Sequence, residues 1–483
     1  MRKRIRKITV GFVVCGLLAF GVTGPVAMPV CAEETATIKP NVEYHSMEDI
    51  KAYFEDHELS SQAVQYAVKP KVTAPYSLGS LTESTKNTYL SYLNAVRYVA
   101  GLNDDVTWND YYGERAQAGA LADAANRTLS HFPGKPSGMD DALYAKCSEG
   151  AGHSNIWCGW SSSSYRFSVG SMVVNSWMAD DDSSNISRVG HRRWFLSPTM
   201  QETGFGAAVD STGNAEYSAA WVMDLGRSGS ESYITWPAQE MPVEMFDANY
   251  PWSISAGESI DGSAVAVRLT RKSDGRVWKF GKTGSNGNFY VDGGGYGQSG
   301  DCIIFRPSGL SIAKGDAFSV QVTGLPDGKE LDYDVNFFSM YPDPPAVEMY
   351  RLYHALTKEH FYTSSTHERD VLVTRGWKYE GIGWYAPEKS KTPVYRLYNP
   401  VLKDHHYTTS TQERDVLSSK YGWKYEGIGW YSDDAKTVPL YRRYYPYITS
   451  GSHHYTTSQV EARHLVKVGW RDEGIAWYGV EKK

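Results

Sequence analysis

The chain has 483 residues, 41% of them hydrophobic and 22% charged, with a formal net charge of −6 at pH 7. That length exceeds one ordinary domain, and the composition is that of a folded chain, not a disordered one. Basic residues cluster only at the extreme N-terminus, which argues against nucleic acid as a partner.

Arg2, Lys3, Arg4, Arg6 and Lys7 precede an apolar run from Ile8 to Phe20, and Val30-Cys31-Ala32 offers small residues before Glu33. This order reads as a secretory signal over residues 1–32. The apolar run breaks at Gly21 and Pro25, short of the roughly 20 residues a membrane span needs, so a retained anchor is the weaker reading. Cleavage removes five of the 49 basic residues and no acid, leaving 44 against 55. The expectation is an exported protein, extracellular or associated with the cell surface, and without a transmembrane anchor once cleaved. Cys147 and Cys158 are spaced to close a small loop, with buried thiols as the alternative; the third cysteine, Cys302, leaves an odd count.

Residues 33–79 read as a helical lead-in. Ser46-Met47-Glu48-Asp49 is a helix start, Ile50, Tyr53 and Phe54 follow at helical spacing, and Pro70, Pro75 and Gly79 interrupt the remainder. Ser80-Leu81-Thr82-Glu83 has a capping-box pattern, and Tyr89, Leu93, Val96 and Val99 keep the helical period up to Gly101. A second helix is predicted over 110–127, where Ala116, Ala120 and Ala124 make a small-residue face. A third is predicted over 168–180, with Val169, Val173, Trp177 and Asp180 on one face. Strands are predicted over 193–196, 202–209 and 217–225, and Asp210-Ser211-Thr212-Gly213-Asn214 is the turn between the last two.

Four groups of residues in this region carry chemistry: Leu129-Ser130-His131-Phe132-Pro133, Ser148-Glu149-Gly150-Ala151-Gly152-His153, Trp177-Met178-Ala179-Asp180 and Gly190-His191-Arg192-Arg193. That order resembles the CAP superfamily, the secreted domain also called SCP or PR-1-like, over residues 80–228. The resemblance implies an α–β–α sandwich with one cleft lined by His131, Glu149, Asp180 and His191. Imidazoles with carboxylates can hold Zn²⁺ and leave a position for water, and the same groups can move protons. A hydrogen-bonded structural cluster is the alternative. Asp180 stands where the family has Glu, one methylene shorter, and Arg192 and Arg193 replace the aromatic and Gln residues that often follow the family's Gly-His. His153 reads as a group that caps or orients the Glu149 segment. No Gly-x-Ser-x-Gly elbow marks a serine nucleophile, and Asp180-Asp181-Asp182 lacks the oxygen-ligand spacing of a calcium loop.

From 229 to 345 the pattern is all-β. Short strands are predicted over 264–270, 277–280, 302–306, 317–322 and 333–338, punctuated by Lys272-Ser273-Asp274-Gly275 and Pro326-Asp327-Gly328. The segment reads as an immunoglobulin-like sandwich acting as spacer, and Pro342-Asp343-Pro344-Pro345 as a stiff linker. Three repeats fill 346–483. Tyr350-Arg351-Leu352-Tyr353 returns at Tyr395 and Tyr441, and His360-Phe361-Tyr362-Thr363 returns at His405 and His453. The segment from Gly376 to Tyr385 returns unchanged from Gly422 and with three changes from Gly469. Three such units fit a trefoil-like closed domain better than a propeller. The region also resembles repeat modules at the ends of bacterial secreted proteins. The repeated tryptophans read first as core, and the trefoil analogy nominates Tyr362, Trp384, Tyr407 and Trp430 as the alternative, for stacking on sugars.

The sequence therefore reads as a multidomain secreted protein: an α/β CAP domain, an all-β sandwich and an all-β repeat domain. The leading function is binding of a glycan or cell-wall partner through the C-terminal repeats. The alternatives are a metal-dependent hydrolase with Zn²⁺ at the cleft, and a structural adhesin without turnover.

Overall fold

Strand Glu202–Val209 alternates two kinds of residue, and the layering of the first half of the chain follows from it. In the computed structural model, which describes residues 36–481 apart from 58, 61, 162–165 and 342–344, this strand pairs with Ala215–Trp221, which in turn pairs with Ser154–Trp160. One face of the strand carries Phe205 and Ala207 into a large buried core with Tyr89, Leu93, Val96 and Trp177. The other face carries Gly204 and Gly206, and a β-carbon at either would lie within 2.2 Å of the backbone of helix Asp110–Asn126. The helix thus rides on the sheet backbone. A second helix, Asp141–Gly152, rides on the first in the same way, because a β-carbon at Gly150 would strike the Arg115 carbonyl at 1.7 Å. Helix Glu83–Val99 covers the opposite sheet face, with Tyr89 stacked on Phe205 at 4.9 Å. The result is helix, sheet, helix.

Several local readings need revision. The lead-in helix Met47–Asp56 has the expected capping box at Ser46. The next helix starts at Glu83 behind Thr82, since Ser80 and Leu81 pair as a strand with Tyr66–Val68. The segment predicted as a strand over 193–196 falls in helix Gly190–Phe195, in which Arg192 and Arg193 are buried. The predicted helix over 168–180 becomes one α-turn, Val169–Met172, and a π-turn, Val173–Trp177, so Asp180 lies beyond it with φ 46°. Cys147, Cys158 and Cys302 are all free thiols, and burial pushes the Cys147 thiol up to about 12.

The segment after residue 229 forms two sheets that face each other. One has the strand order Thr37–Ile38, Glu330–Phe338, Ala317–Thr323, Ala266–Arg271, Val277–Gly281, and the other runs Gly287–Asp292, Cys302–Pro307, Trp252–Ser255, Ile234–Trp236. Trp252 meets Phe318 and Phe337 across the gap at 5.6 and 6.2 Å. The lead-in enters this sheet, since Thr37 pairs in parallel with Glu330. Helical and β parts share one continuous core, and Met1–Met340 is a single compact unit. The signal-like segment and Pro342, Asp343 and Pro344 of the linker lie outside the described residues.

The second compact unit, Tyr341–Lys483, holds the three repeats, numbered in chain order as repeat unit one, unit two and unit three. Each is a three-stranded antiparallel sheet with one helix between its second and third strands; the first comprises Ala346–Tyr353, His360–Thr363, Thr366–Thr374 and Lys378–Pro387. The helices, Thr366–Thr374, Thr411–Lys420 and Gln459–Lys467, were not legible as such, and each is capped by a serine whose side chain accepts from the third helical N–H. The repeats close a ring. The Tyr362 hydroxyl donates to the Tyr455 carbonyl, Tyr455 to the Tyr407 carbonyl and Tyr407 to the Tyr362 carbonyl, at 3.0, 3.0 and 3.3 Å. Arg351, Arg396 and Arg442 reach Glu461, Glu368 and Glu413 in the same rotation. Trp384, Trp430 and Trp477 pack mutually on the axis at 5.4–6.0 Å.

Two seams of the ring press imidazoles together, His360 on His454 at 4.4 Å and His406 on His453 at 4.6 Å; the third has Phe361 on His405. Burial, then the neighbouring His454, pushes His360 down to about 3, and burial lowers His406 too. Unfolded histidine titrates near 6.5, so the unfolded chain gains protons first as pH falls, and stability drains between about pH 6.5 and 3. Calorimetry should show the second unit losing on the order of 1–2 kcal/mol between pH 7 and 5 from His360, with His406 adding a loss in the same direction. His406→Phe, which gives unit two the residue unit one has at Phe361, should flatten that loss; an unchanged pH slope would rule His406 out as its source.

Candidate functional site

Helix Asp141–Gly152 delivers Glu149 to helix Asp110–Asn126, where both carboxylate oxygens are engaged. Tyr111 Oη donates to Oε1 at 2.6 Å and Arg115 Nε to Oε2 at 3.1 Å. Tyr111 and Arg115 are one turn apart, with the guanidinium 3.9 Å over the ring. The Tyr111 hydrogen bond, with Arg115 behind it, holds the Glu149 carboxyl below its ordinary range although burial opposes this. Nothing in the sequence but that spacing singles out Tyr111 and Arg115. His153 caps the helix by Nδ1 to the Glu149 carbonyl at 2.8 Å and stacks on Trp221 at 4.8 Å. Its orienting role is thus visible in the bonds it makes.

His131 Nδ1 lies 3.0 Å from the Ala151 carbonyl, an acceptor only, so this nitrogen carries the proton and Nε2 is the acceptor. The ring is open to solvent yet flanked by protein, which lowers its pKa, and a charge on His191 would lower it further. His191 has the same polarity. Its Nδ1 sits 2.7 Å from Asp180 Oδ1, which again leaves Nε2 as the acceptor. Asp180 is buried, and its second oxygen accepts the Arg192 N–H at 3.0 Å. Asp180 and Val189, on either side of this pair, both have left-handed backbone, with φ of 46° and 43°. A β-branched residue in that region is strained, and such strain persists only where surroundings impose it.

The imposing groups are Arg192 and Arg193. Arg192 is fully buried; it donates to the carbonyls of Met178 and Ala179 at 2.8 Å each and, across to the β-sandwich, to the Pro251 carbonyl and Ser253 Oγ at 2.6 and 3.0 Å. Arg193 reaches Asp292 at 2.5 Å and the Gly300 carbonyl at 2.8 Å. Arg192 and Arg193, two of the three residues that differ from the pattern the sequence resembles, are therefore the staples between helical and β layers.

As arranged, this donor set does not make a four-ligand metal site. Glu149 is engaged by Tyr111 and Arg115, Asp180 by His191 and Arg192, and only the two Nε2 atoms are uncommitted. Among the described residues no group of three or more His, Cys, Asp or Glu is disposed to hold a metal. No helix among them is long and apolar enough to cross a membrane.

In the second unit, Tyr362, Trp384, Tyr407 and Trp430 are 0, 4, 0 and 5% exposed and form the ring's core with Tyr455 and Trp477. They cannot stack on a sugar, and the reading of the repeated tryptophans as core is what the packing gives. Exposed aromatics lie elsewhere on the same strands. Tyr379 and Tyr425 are 40 and 45% exposed, beside Ile382 and Ile428. Arg369 lies over Tyr350 and Tyr379, and Arg414 over Tyr395 and Tyr425, at 4.5–5.4 Å. In unit three Ala462 and Asp472 stand at the Arg and Tyr positions, and Arg443 fills in from the neighbouring strand against Asp472 and Tyr441.

Comparison with known families supports part of this picture. Residues 90–225 match the family described as Cysteine-rich secretory protein family, CAP, so the first unit carries a CAP domain. Residues 348–480 match a domain of unknown function, DUF5648. No curated protein matches the chain.

Two outcomes are expected. Arg192→Met should cost the first unit about 3–5 kcal/mol, the penalty for breaking a buried charged network, and a calorimetric loss below about 1 kcal/mol would show that the carbonyls find other donors. Zn²⁺ binding, followed by equilibrium dialysis and elemental analysis, should depend wholly on His131 and His191. A stoichiometric ion surviving His131→Ala/His191→Ala would place the metal elsewhere.

Proposed function

We propose that this CAP-domain protein is an exported binding protein, extracellular or held at the cell surface, whose C-terminal ring engages a cell-wall or surface glycan. The immunoglobulin-like reading of the sandwich and the trefoil-like reading of the ring belong to the same proposal. The observation that carries it is the duplicated Tyr–Arg–Tyr platform, Tyr350–Arg369–Tyr379 and Tyr395–Arg414–Tyr425, with exposed Ile382 and Ile428 alongside. Tyr350 and Tyr395 are the buried supports of each set, and the exposed rings Tyr379 and Tyr425, stiffened by arginine, suit the apolar side of a pyranose. Beside them, β-carbons at Gly381 and Gly427 would meet nothing within 4 Å, so the strand face is open. Two weak platforms on one domain gain strength on a polymer by avidity. Unit three, with Asp472, contributes least.

The second reading is metal-assisted hydrolysis at the CAP cleft, favoured by the Asp180-fixed imidazole of His191 beside His131. Zn²⁺ there would take the two Nε2 atoms and polarise water, with Glu149 as base only if it leaves Tyr111 and Arg115. A structural adhesin is the third.

Retention on insoluble wall polysaccharide separates these readings. Tyr379→Ala/Tyr425→Ala should reduce retention about tenfold while the fold survives, because both rings are on the surface. Undiminished retention would move binding off these strands, and no retention on any wall or host glycan would leave the adhesin reading.

A further inference from the structure

Each repeat holds a second, half-buried tryptophan outside the ring's core: Trp377, Trp423 and Trp470. Each meets the second residue of its His-x-Tyr-Thr motif edge-on, Phe361, His406 or His454, at 6.0, 5.8 and 6.3 Å. The other contact differs among units. In unit one His354 lies over Trp377 at 4.9 Å and 35°, and in unit three Tyr445 lies over Trp470 at 5.3 Å and 31°. The same position in unit two is Asn399, which has no ring. Its Oδ1 is engaged by the Val401 and Leu402 N–H groups and its Nδ2 by the Tyr421 carbonyl.

Where the ring is missing, a surface pocket of about 520 Å³ opens, lined by Trp423, Leu417, Leu402, Val401, Tyr421 and Asn399. Helix Thr411–Lys420 is one residue longer than its counterparts, ten against nine, and this extension brings in Tyr421. Val401 and Tyr421 are 86 and 64% exposed.

We propose that this pocket binds a planar aromatic side chain of a peptide or protein partner, seated on Trp423 as His354 and Tyr445 are seated on Trp377 and Trp470. The fold itself supplies two examples of the occupant, both aromatic side chains. The walls are hydrocarbon or aromatic, and the Asn399 amide is spent on its own loop, so little beyond the Tyr421 hydroxyl is left among the lining side chains to pair the several hydroxyls of a pyranose. The pocket is distinct from the Tyr379 and Tyr425 platforms and independent of the glycan reading.

The probe is N-acetyl-tyrosinamide, titrated against the full chain by calorimetry and saturation-transfer NMR. One saturable site is expected, with a Kd on the order of 1 mM and transfer to the ring protons. Asn399→Tyr, which gives unit two the ring that unit three already has, should weaken binding at least about tenfold while the chain stays folded at the assay temperature, the midpoint falling only by what the lost Val401 and Leu402 N–H bonds cost. His354→Asn should uncover Trp377 and raise the stoichiometry from one to two; if Asn399→Tyr does not fold, this variant decides alone. Absence of binding, binding unaffected by Asn399→Tyr, a stoichiometry unchanged in His354→Asn, or preferential binding of methyl β-glucoside in this pocket would each overturn the assignment.

Discussion

A buried guanidinium governs the first unit. Arg192 has no solvent contact, and isolated burial of such a charge would be prohibitive. It is tolerated because four acceptors surround it, two from the turn before Asp180 and two from the β-sandwich. Burial pulls its pKa down to about 10 while Asp180 opposes this, so it stays charged at neutral pH. The geometry of the candidate site depends on this arrangement. The same residue donates its backbone N–H to Asp180, and Asp180 fixes His191. The β-sandwich is thus part of the framework of the cleft and not a detachable spacer.

In the second unit closure plays the corresponding part. No repeat alone buries its aromatic residues; each tyrosine hydroxyl finds its acceptor on another repeat, and each tryptophan its packing partners on both others. The polar seams are specific as well, since each arginine bridges a glutamate of its own repeat and one of the preceding repeat in the cycle.

Much of this was legible in the sequence, and what was not has physical causes. The capping box at Ser46, the strand Glu202–Val209 and its turn follow from local chemistry. Helix Asp141–Gly152, which carries Glu149, is hard to read because most of it is alanine, glycine, serine and cysteine and its apolar face is short, Leu143, Tyr144 and Cys147; beyond these its packing works by close backbone approach. Gly190–Phe195 read as partly strand because Trp194, Phe195 and Leu196 are apolar in a row, whereas buried arginines decide its conformation. The stacking residues come from a fold analogy, which does not say which side of a strand faces solvent, and for the tryptophans alternation does not supply it either. Along Lys378–Pro387 the exposed Ile382 and the buried Trp384 are two apart, which simple alternation would put on one face. A bulge opposite Met349 and Tyr350 skips Gly383 and reverses the sides. Periodicity identifies a strand but does not locate its bulges.

The cyclic seams of the second unit also bear on assembly. A ring of near-identical parts has no privileged partner for its last member. If the third repeat detaches, it exposes one half of two seams, and the remaining pair exposes the matching halves. Another chain opened in the same way offers the same surfaces, so the two can exchange third repeats and satisfy every tyrosine, arginine and tryptophan contact between chains instead of within one. Internal symmetry of this kind makes domain-swapped dimers accessible without any new interface, and protein concentration then sets how often the ring closes on itself.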